Sequence, residues 1–204
     1  MAAAKEQSAV DQQLSEAIAA VEAGDGAKAM QLLQALAEQG NDIAEYNLGV
    51  LHEGAAGIPV NLEEAVRWYK QAAEKGNTLA QYNLSVMYDL GRGVEQDYAQ
   101  ALAWLERAAS AGHASAQTNL GVMYDNGQGV EQDVVKAAEW FQRAAAQGNA
   151  VAECNLASMY FYGVGVEQNF DQALTLYVLA AEKGNQVAID KVNEIIAAID
   201  ADKA

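Results

Sequence analysis

Two glycine-rich loops, Asp89–Asp97 (DLGRGVEQD) and Asp125–Asp133 (DNGQGVEQD), are the first places in this chain where chemistry could reside. A phosphate cradle needs a Gly-x-Gly-x-x-Gly turn between a strand and a helix. Here Gln96 and Gln132 stand at the third glycine, and the loops follow helical patterns. A calcium loop needs alternating oxygen ligands and a distal bidentate Glu, which neither loop has. Helix capping accounts for the glycines and the aspartates. His52 and His113 hold unrelated positions, and neither has a Cys or a second His at metal-ligand spacing. His52 reads as a packing residue. The lone cysteine, Cys154, has no histidine nearby in sequence to activate it. The residues predict no catalytic group, no metal site and no cofactor.

The elements that position these residues recur every 36 residues. Ala44, Ala80, Ala116, Ala152 and Ala188 stand in register, as do Asn47, Asn83, Asn119 and Asn155. Gly40, Gly76, Gly112, Gly148 and Gly184 keep the same interval. A fixed period of this length implies a solenoid, whose units bury their apolar faces by stacking on neighbours.

Within Thr78–His113, Ala80, Leu84 and Met87 mark one face of a helix, called helix A. After a loop, Ala101, Trp104, Leu105 and Ala108 mark a second, helix B. Nothing alternates with period two, so the chain is all-α. Gly91, Gly127 and Gly163 are expected to end the A helices in the left-handed region. Asn61, Asp97, Asp133 and Asn169 are expected to cap the B helices, with Asn61 and Glu64 spaced like a capping box. Trp68, Trp104 and Trp140 fill the wider gaps, and Leu32 and Leu176 replace them in the outer units. At the N-terminal end Val10, Leu14, Ile18 and Val21 form a stripe. At the other end Ala188, Val192, Ile195 and Ile199 are expected to face the stack, with Asp190, Lys191 and Glu194 outward.

Over 204 residues the chain carries 12 Lys and Arg against 28 Asp and Glu, a formal charge of −16. Such a field repels phosphate backbones and anionic membranes and attracts basic partners, which argues against nucleic acid. Mean hydropathy is −0.11, with 51% hydrophobic residues, as expected of a folded soluble protein. A single cysteine allows no intrachain disulfide. No stretch approaches the length of a membrane-spanning helix, and the start lacks an apolar signal-peptide core, so a cytoplasmic protein is expected without membrane insertion.

The pattern A-x-x-N-L-x-x-M-Y-x-x-G-x-G-V-x-x-D, followed by A-x-x-W and A-A-x-x-G, resembles the Sel-one-like repeat (SLR), a relative of the tetratricopeptide repeat (TPR). Four units match: residues 42–77, 78–113, 114–149 and 150–185. The first departs, with Gly54-Ala55-Ala56-Gly57 in place of Gly-x-Gly. Residues 8–41 resemble a TPR-like N-terminal unit, and 186–204 a capping helix, so 1–204 reads as one solenoid domain. The resemblance implies a right-handed α-solenoid, a superhelix of stacked antiparallel helix pairs, whose A helices line a concave groove.

Since Ala80, Leu84 and Met87 face inward, Tyr82, Asn83, Val86 and Asp89 point to the other side. Carried along the repeat, the groove would hold Tyr46, Asn47, Val50 and Glu53, then Tyr82, Asn83, Val86 and Asp89. Thr118, Asn119, Val122 and Asp125 would follow, and then Cys154, Asn155, Ser158, Phe161 and Tyr162. The Asn row has two open roles. Each amide could pair with an extended peptide backbone, or hold neighbouring helices together. The groove lacks the Lys and Arg that TPR domains use to clamp a carboxylate, while Glu53, Asp89 and Asp125 favour a basic segment. The reading is a non-catalytic scaffold or adaptor that binds a protein or peptide. The alternatives are a β-lactamase-like hydrolase, a toxin-blocking immunity protein or a glycan-binding module. Some cysteine-rich members of the resembled family have been described as β-lactamases. This chain lacks their cysteine framework, and no serine begins Ser-x-x-Lys.

Overall fold

The computed structural model describes residues 2–201, and side chains over 8–198. Among the described residues there are eleven α-helices and no strand. They are α1 (Ala2–Glu22), α2 (Gly26–Ala37), α3 (Asp42–His52), α4 (Leu62–Glu74), α5 (Thr78–Leu90) and α6 (Tyr98–Ser110). Next come α7 (Ala114–Asn126), α8 (Val134–Ala145), α9 (Ala150–Tyr162), α10 (Phe170–Glu182) and α11 (Gln186–Ala201). The chain divides within α6 into two compact units, one up to Arg107 and one from Ala108. In each, sequence-adjacent helices pack together: α1 to α4 and then α5 in the first, α7 through α11 in the second. Contacts between nearest neighbours are the plan of an all-helical solenoid.

Side-chain caps set where the helices begin. Asn41, Asn77, Asn149 and Asn185 each accept the backbone N–H three residues on, opening α3, α5, α9 and α11. At α7 the cap is His113, whose Nδ1 accepts from Ala116 N–H at 3.1 Å. The B helices start on the expected residues: Asn61, Asp97, Asp133 and Asn169 accept from Glu64, Gln100, Lys136 and Gln172. Each such cap is worth about 1 kcal/mol. The capping box at Asn61 is only half formed. Glu64 turns to Arg67 at 2.6 Å, and the Asn61 N–H donates to the His52 carbonyl at 2.8 Å.

The A helices end on left-handed Gly91, Gly127 and Gly163, with φ of 63°, 67° and 69°. The residues that disqualify the loops as phosphate cradles then close them. Gln96, Gln132 and Gln168 donate Nε2 to the carbonyls of Asp89, Asp125 and Phe161. The divergent first loop instead forms a 3-10 turn over Ala55–Gly57, with Ala56 at φ 52°, the one non-glycine residue in the left-handed region among the described residues.

The cores are built from small residues opposite large ones. Ala44, Ala80, Ala116, Ala152 and Ala188 are fully buried. Gly49 lies against the Tyr69 ring and Gly121 against Phe141, where a Cβ would fall 2.4 and 2.7 Å from ring carbons. Along α1 the core side is held by Ala17 and Ala20, with Val10, Leu14 and Val21 packed against them, whereas Ile18 is exposed. On α11, Ala188, Val192 and Ile195 join the last core cluster; Ile199 lies outside the described side chains.

Candidate functional site

In the first unit, α3 and α5 carry Tyr46, Asn47, Val50 and Glu53, and Tyr82, Asn83 and Val86, all half-buried, with Asp89 exposed. Tyr46 tilts against Tyr69 with ring centroids 5.8 Å apart. The Asn83 amide, from the next repeat, lies close enough to the phenols of Tyr46 and Tyr69 to oppose the rise in their pKa values. The Asn47 amide donates to its own helix, at Ile43 O, 2.8 Å. Burial is the main cause that raises the Tyr46 phenol pKa, with the neighbouring Asn83 amide opposing it and the Glu53 charge adding to it. Tyr69 is pushed up further, by burial and then by Glu53.

Glu53 is not the free groove carboxylate that its repeat position suggests. Its Oε2 accepts from the Tyr69 hydroxyl at 2.6 Å, and its Oε1 pairs with Arg92 at 3.2 Å. Arg92 belongs to the loop after α5, so the row carries an arginine after all, one occupied by Glu53. A carboxylate with both oxygens engaged presents little net field to a partner.

In the second unit, Val122 and Asp125 from α7 meet Asn155 and Tyr162 from α9 around a cleft of 310 Å³. Phe141, Ser158, Met159 and Val164 complete its walls. Asn119 is exposed beside it but does not line it. Phe161 turns into an aromatic cluster, edge-on to Tyr162 at 5.0 Å and Phe170 at 5.3 Å. Thr118 and Cys154, expected in the groove, are each 5% exposed and belong to the core. Thr118 Oγ1 donates to Ala114 O, and burial raises the Cys154 thiol pKa, which disfavours its nucleophilic form. Ser158 shares a hydrogen bond with the Tyr177 hydroxyl at 2.8 Å. Among the described residues no group of His, Cys, Asp and Glu could hold a metal ion, and no helix is long and apolar enough to cross a membrane.

One row escaped sequence reading. Glu45, Gln81, Gln117 and Glu153 share a repeat position, and all are buried. The two glutamines donate to the Ala73 and Ala109 carbonyls, at the ends of the B helices before them. The two glutamates instead accept from Lys75 and Lys183, thirty residues on, and Gln147 fills the same role for Gln117. Acid with lysine and amide with amide at this interval were visible in the sequence. They are legible only as pairs, because each residue alone reads as surface.

The family model for the Sel1 repeat matches residues 19–41, 42–77, 78–113, 114–149 and 150–185. A crystal structure of a Sel1 repeat protein from Oxalobacter formigenes is 38% identical with TM-score 0.79, covering 82% of this chain and 49% of that one. A protective antigen of uropathogenic Escherichia coli with an SLR fold is 32% identical with TM-score 0.83, covering 93% of this chain and 42% of the other. The chain thus spans about half the length of these two relatives. An immunity protein of Pseudomonas aeruginosa is 25% identical with TM-score 0.58, covering 88% of this chain and 67% of that one. No curated protein matches.

Proposed function

The chain belongs to the Sel1 repeat family, whose members generally serve as protein-interaction scaffolds, and we propose that it is a non-catalytic, cytoplasmic adaptor holding a protein segment against its A helices. The observation that carries this reading is the cleft between α7 and α9. Val122, Val164 and the 60%-exposed Tyr162 offer apolar contact, while Asn155 and Asp125 offer an amide and a carboxylate. A few polar groups set among apolar walls is the usual composition of a recognition site. Asp125 is the carboxylate of this cleft that favours a basic segment; in the first unit Asp89 is the one left to do so, since Glu53 is already paired.

Site-specific photo-crosslinking tests this. Benzoylphenylalanine at Tyr162 should capture a partner in the native lysate, whereas the same group at exposed Glu139 on α8 should not. Equal capture from both positions, or none from Tyr162, would remove the cleft from consideration. A second reading, an inhibitor with one tight partner, draws on the likeness to the Pseudomonas aeruginosa immunity protein. It predicts that the crosslinked species is a single protein and that the complex survives high salt.

A further inference from the structure

On the opposite side of α9 from the A-helix cleft lies a larger one, of 490 Å³, walled by α8, α9 and α10. Its surface is chiefly apolar, with Ala145, Leu156, Tyr160, Leu176 and Leu179. Leu176 stands at the position that is tryptophan in the three preceding repeats. In the first unit those indoles pack against the repeat before them. Trp68 lies on the cluster of Leu33, Leu36 and Leu48, and Trp104, 7% exposed, joins Tyr69, Leu84 and Met87. A leucine in place of an indole leaves the corresponding space open here.

The cleft is also lined by Glu153, which is 2% exposed. Lys183 occupies its Oε1, and Oε2 has no hydrogen-bond partner among the described residues. A buried acceptor left unpaired is destabilising, and more so when charged. The Oε2 of Glu45 is equally unpaired, but there Trp68 is present at the repeat position that Leu176 vacates. In the last repeat the orphan acceptor belongs to a residue that lines an open cleft, and a rotation of the buried carboxylate presents Oε2 to an occupant. Because a carboxylate oxygen only accepts, the occupant must donate, and the second acid on the wall, Asp171, favours a cationic donor.

We propose that this cleft is a binding site for a small aromatic amine, its ring in the space of the missing indole and its ammonium on Glu153 Oε2. The volume falls within the range of small-molecule pockets, and the balance of apolar wall to a few polar groups is typical of them. The site shares no lining residue with the A-helix cleft, so its failure leaves the adaptor reading untouched.

Tryptamine, titrated into the full chain by isothermal calorimetry and by amide NMR, is the probe. It should saturate one site and shift resonances in α8, α9 and α10, while anionic indole-3-propionate should not saturate. Two variants copy the protein's own other repeats and so are expected to fold. L176W restores the indole and should abolish binding. E153Q with K183Q reproduces the Gln117–Gln147 pair, whose amide turns to the preceding helix, and should weaken binding at least about tenfold. Thermal midpoints of both variants monitor folding. No saturable tryptamine binding at millimolar concentration, binding indifferent to L176W, or equal binding of the propionate would overturn the proposal. So would a blocked Phe-Lys peptide that binds where tryptamine does not, since the occupant would then be a protein side chain.

Discussion

Gly49→Ala isolates the contact on which the first half of the A-helix row depends. A Cβ at this position would fall 2.4 Å from one ring carbon of Tyr69 and 2.5 Å from another, and Tyr69 is completely buried. The ring cannot step aside freely, because its hydroxyl is tied to Glu53 at 2.6 Å. Overpacking of this kind costs about 1–3 kcal/mol. Swinging the ring clear gives up a hydrogen bond to a carboxylate, worth about 1.5–3 kcal/mol. Against this, replacing glycine inside a helix gains about 1 kcal/mol. The net expectation is a loss of about 2–3 kcal/mol. In the last repeat the equivalent residues are Ala157 and Tyr177, which share one core cluster, and the Tyr177 hydroxyl is bonded to Ser158 and not to a carboxylate. Removing the tether with Tyr69→Phe should therefore make Gly49→Ala cheaper by about 1–2 kcal/mol, a coupling measurable in a double-mutant cycle. Urea unfolding of the four proteins by circular dichroism gives the cycle. Additive effects would show that the tether does not fix the ring, and a stabilising Gly49→Ala would refute the close approach itself.

Ala56→Gly should raise stability by about 1 kcal/mol by relieving a left-handed alanine, and a lowered thermal midpoint would count against strain there. The His113 cap needs an unprotonated Nδ1, and burial lowers its pKa below the ordinary value near 6.5. Its stabilisation is then complete above that value and is lost as pH falls through the lowered one. His113→Asn, which copies the non-titrating Asn77 cap, should flatten the acid limb of stability against pH, whereas an unchanged limb would place the titration elsewhere. With a captured partner, Asp89→Asn with Asp125→Asn should weaken binding and flatten its salt dependence more than Glu74→Gln with Glu106→Gln. Equal effects would mean that net charge alone matters.

Helix ends were legible because capping is local. Asn61, Asp97, Asp133 and Asn169 act within three residues of themselves, so their types and spacing sufficed. Side-chain exposure on the A helices was not, because a single apolar stripe suggests a helix with one buried face. In α9 the buried set runs through Ala152, Glu153, Cys154, Leu156, Ala157 and Met159, which cover more than half of the helix circumference. Such a helix is wedged between the B helices before and after it, and less than half of its circumference stays open. That is why small Thr118 and Cys154 sink into the core, while Tyr46 and Tyr82, at the same position, stay half-exposed. Glu53 was misjudged for the same reason. Its partners Tyr69 and Arg92 lie 16 and 39 residues away, and nothing in its own repeat position announces them.

A strict repeat can specify only what every unit shares, and every unit shares the burial of its helices. Chemistry that differs from one part of the surface to another must therefore come from positions that break the period. Arg92 has no basic counterpart at Gln128 or Val164, and it alone neutralises a carboxylate of the row. Lysine stands at 75 and 183, with alanine and glutamine at 111 and 147 between them, and the buried position that pairs with it is an acid under lysine and an amide under the other two. Leucine replaces tryptophan at 176, and an open cleft lies there with the buried Glu153 in its wall. The repeated residues make the scaffold, and the exceptions to the repeat mark where it has something to hold.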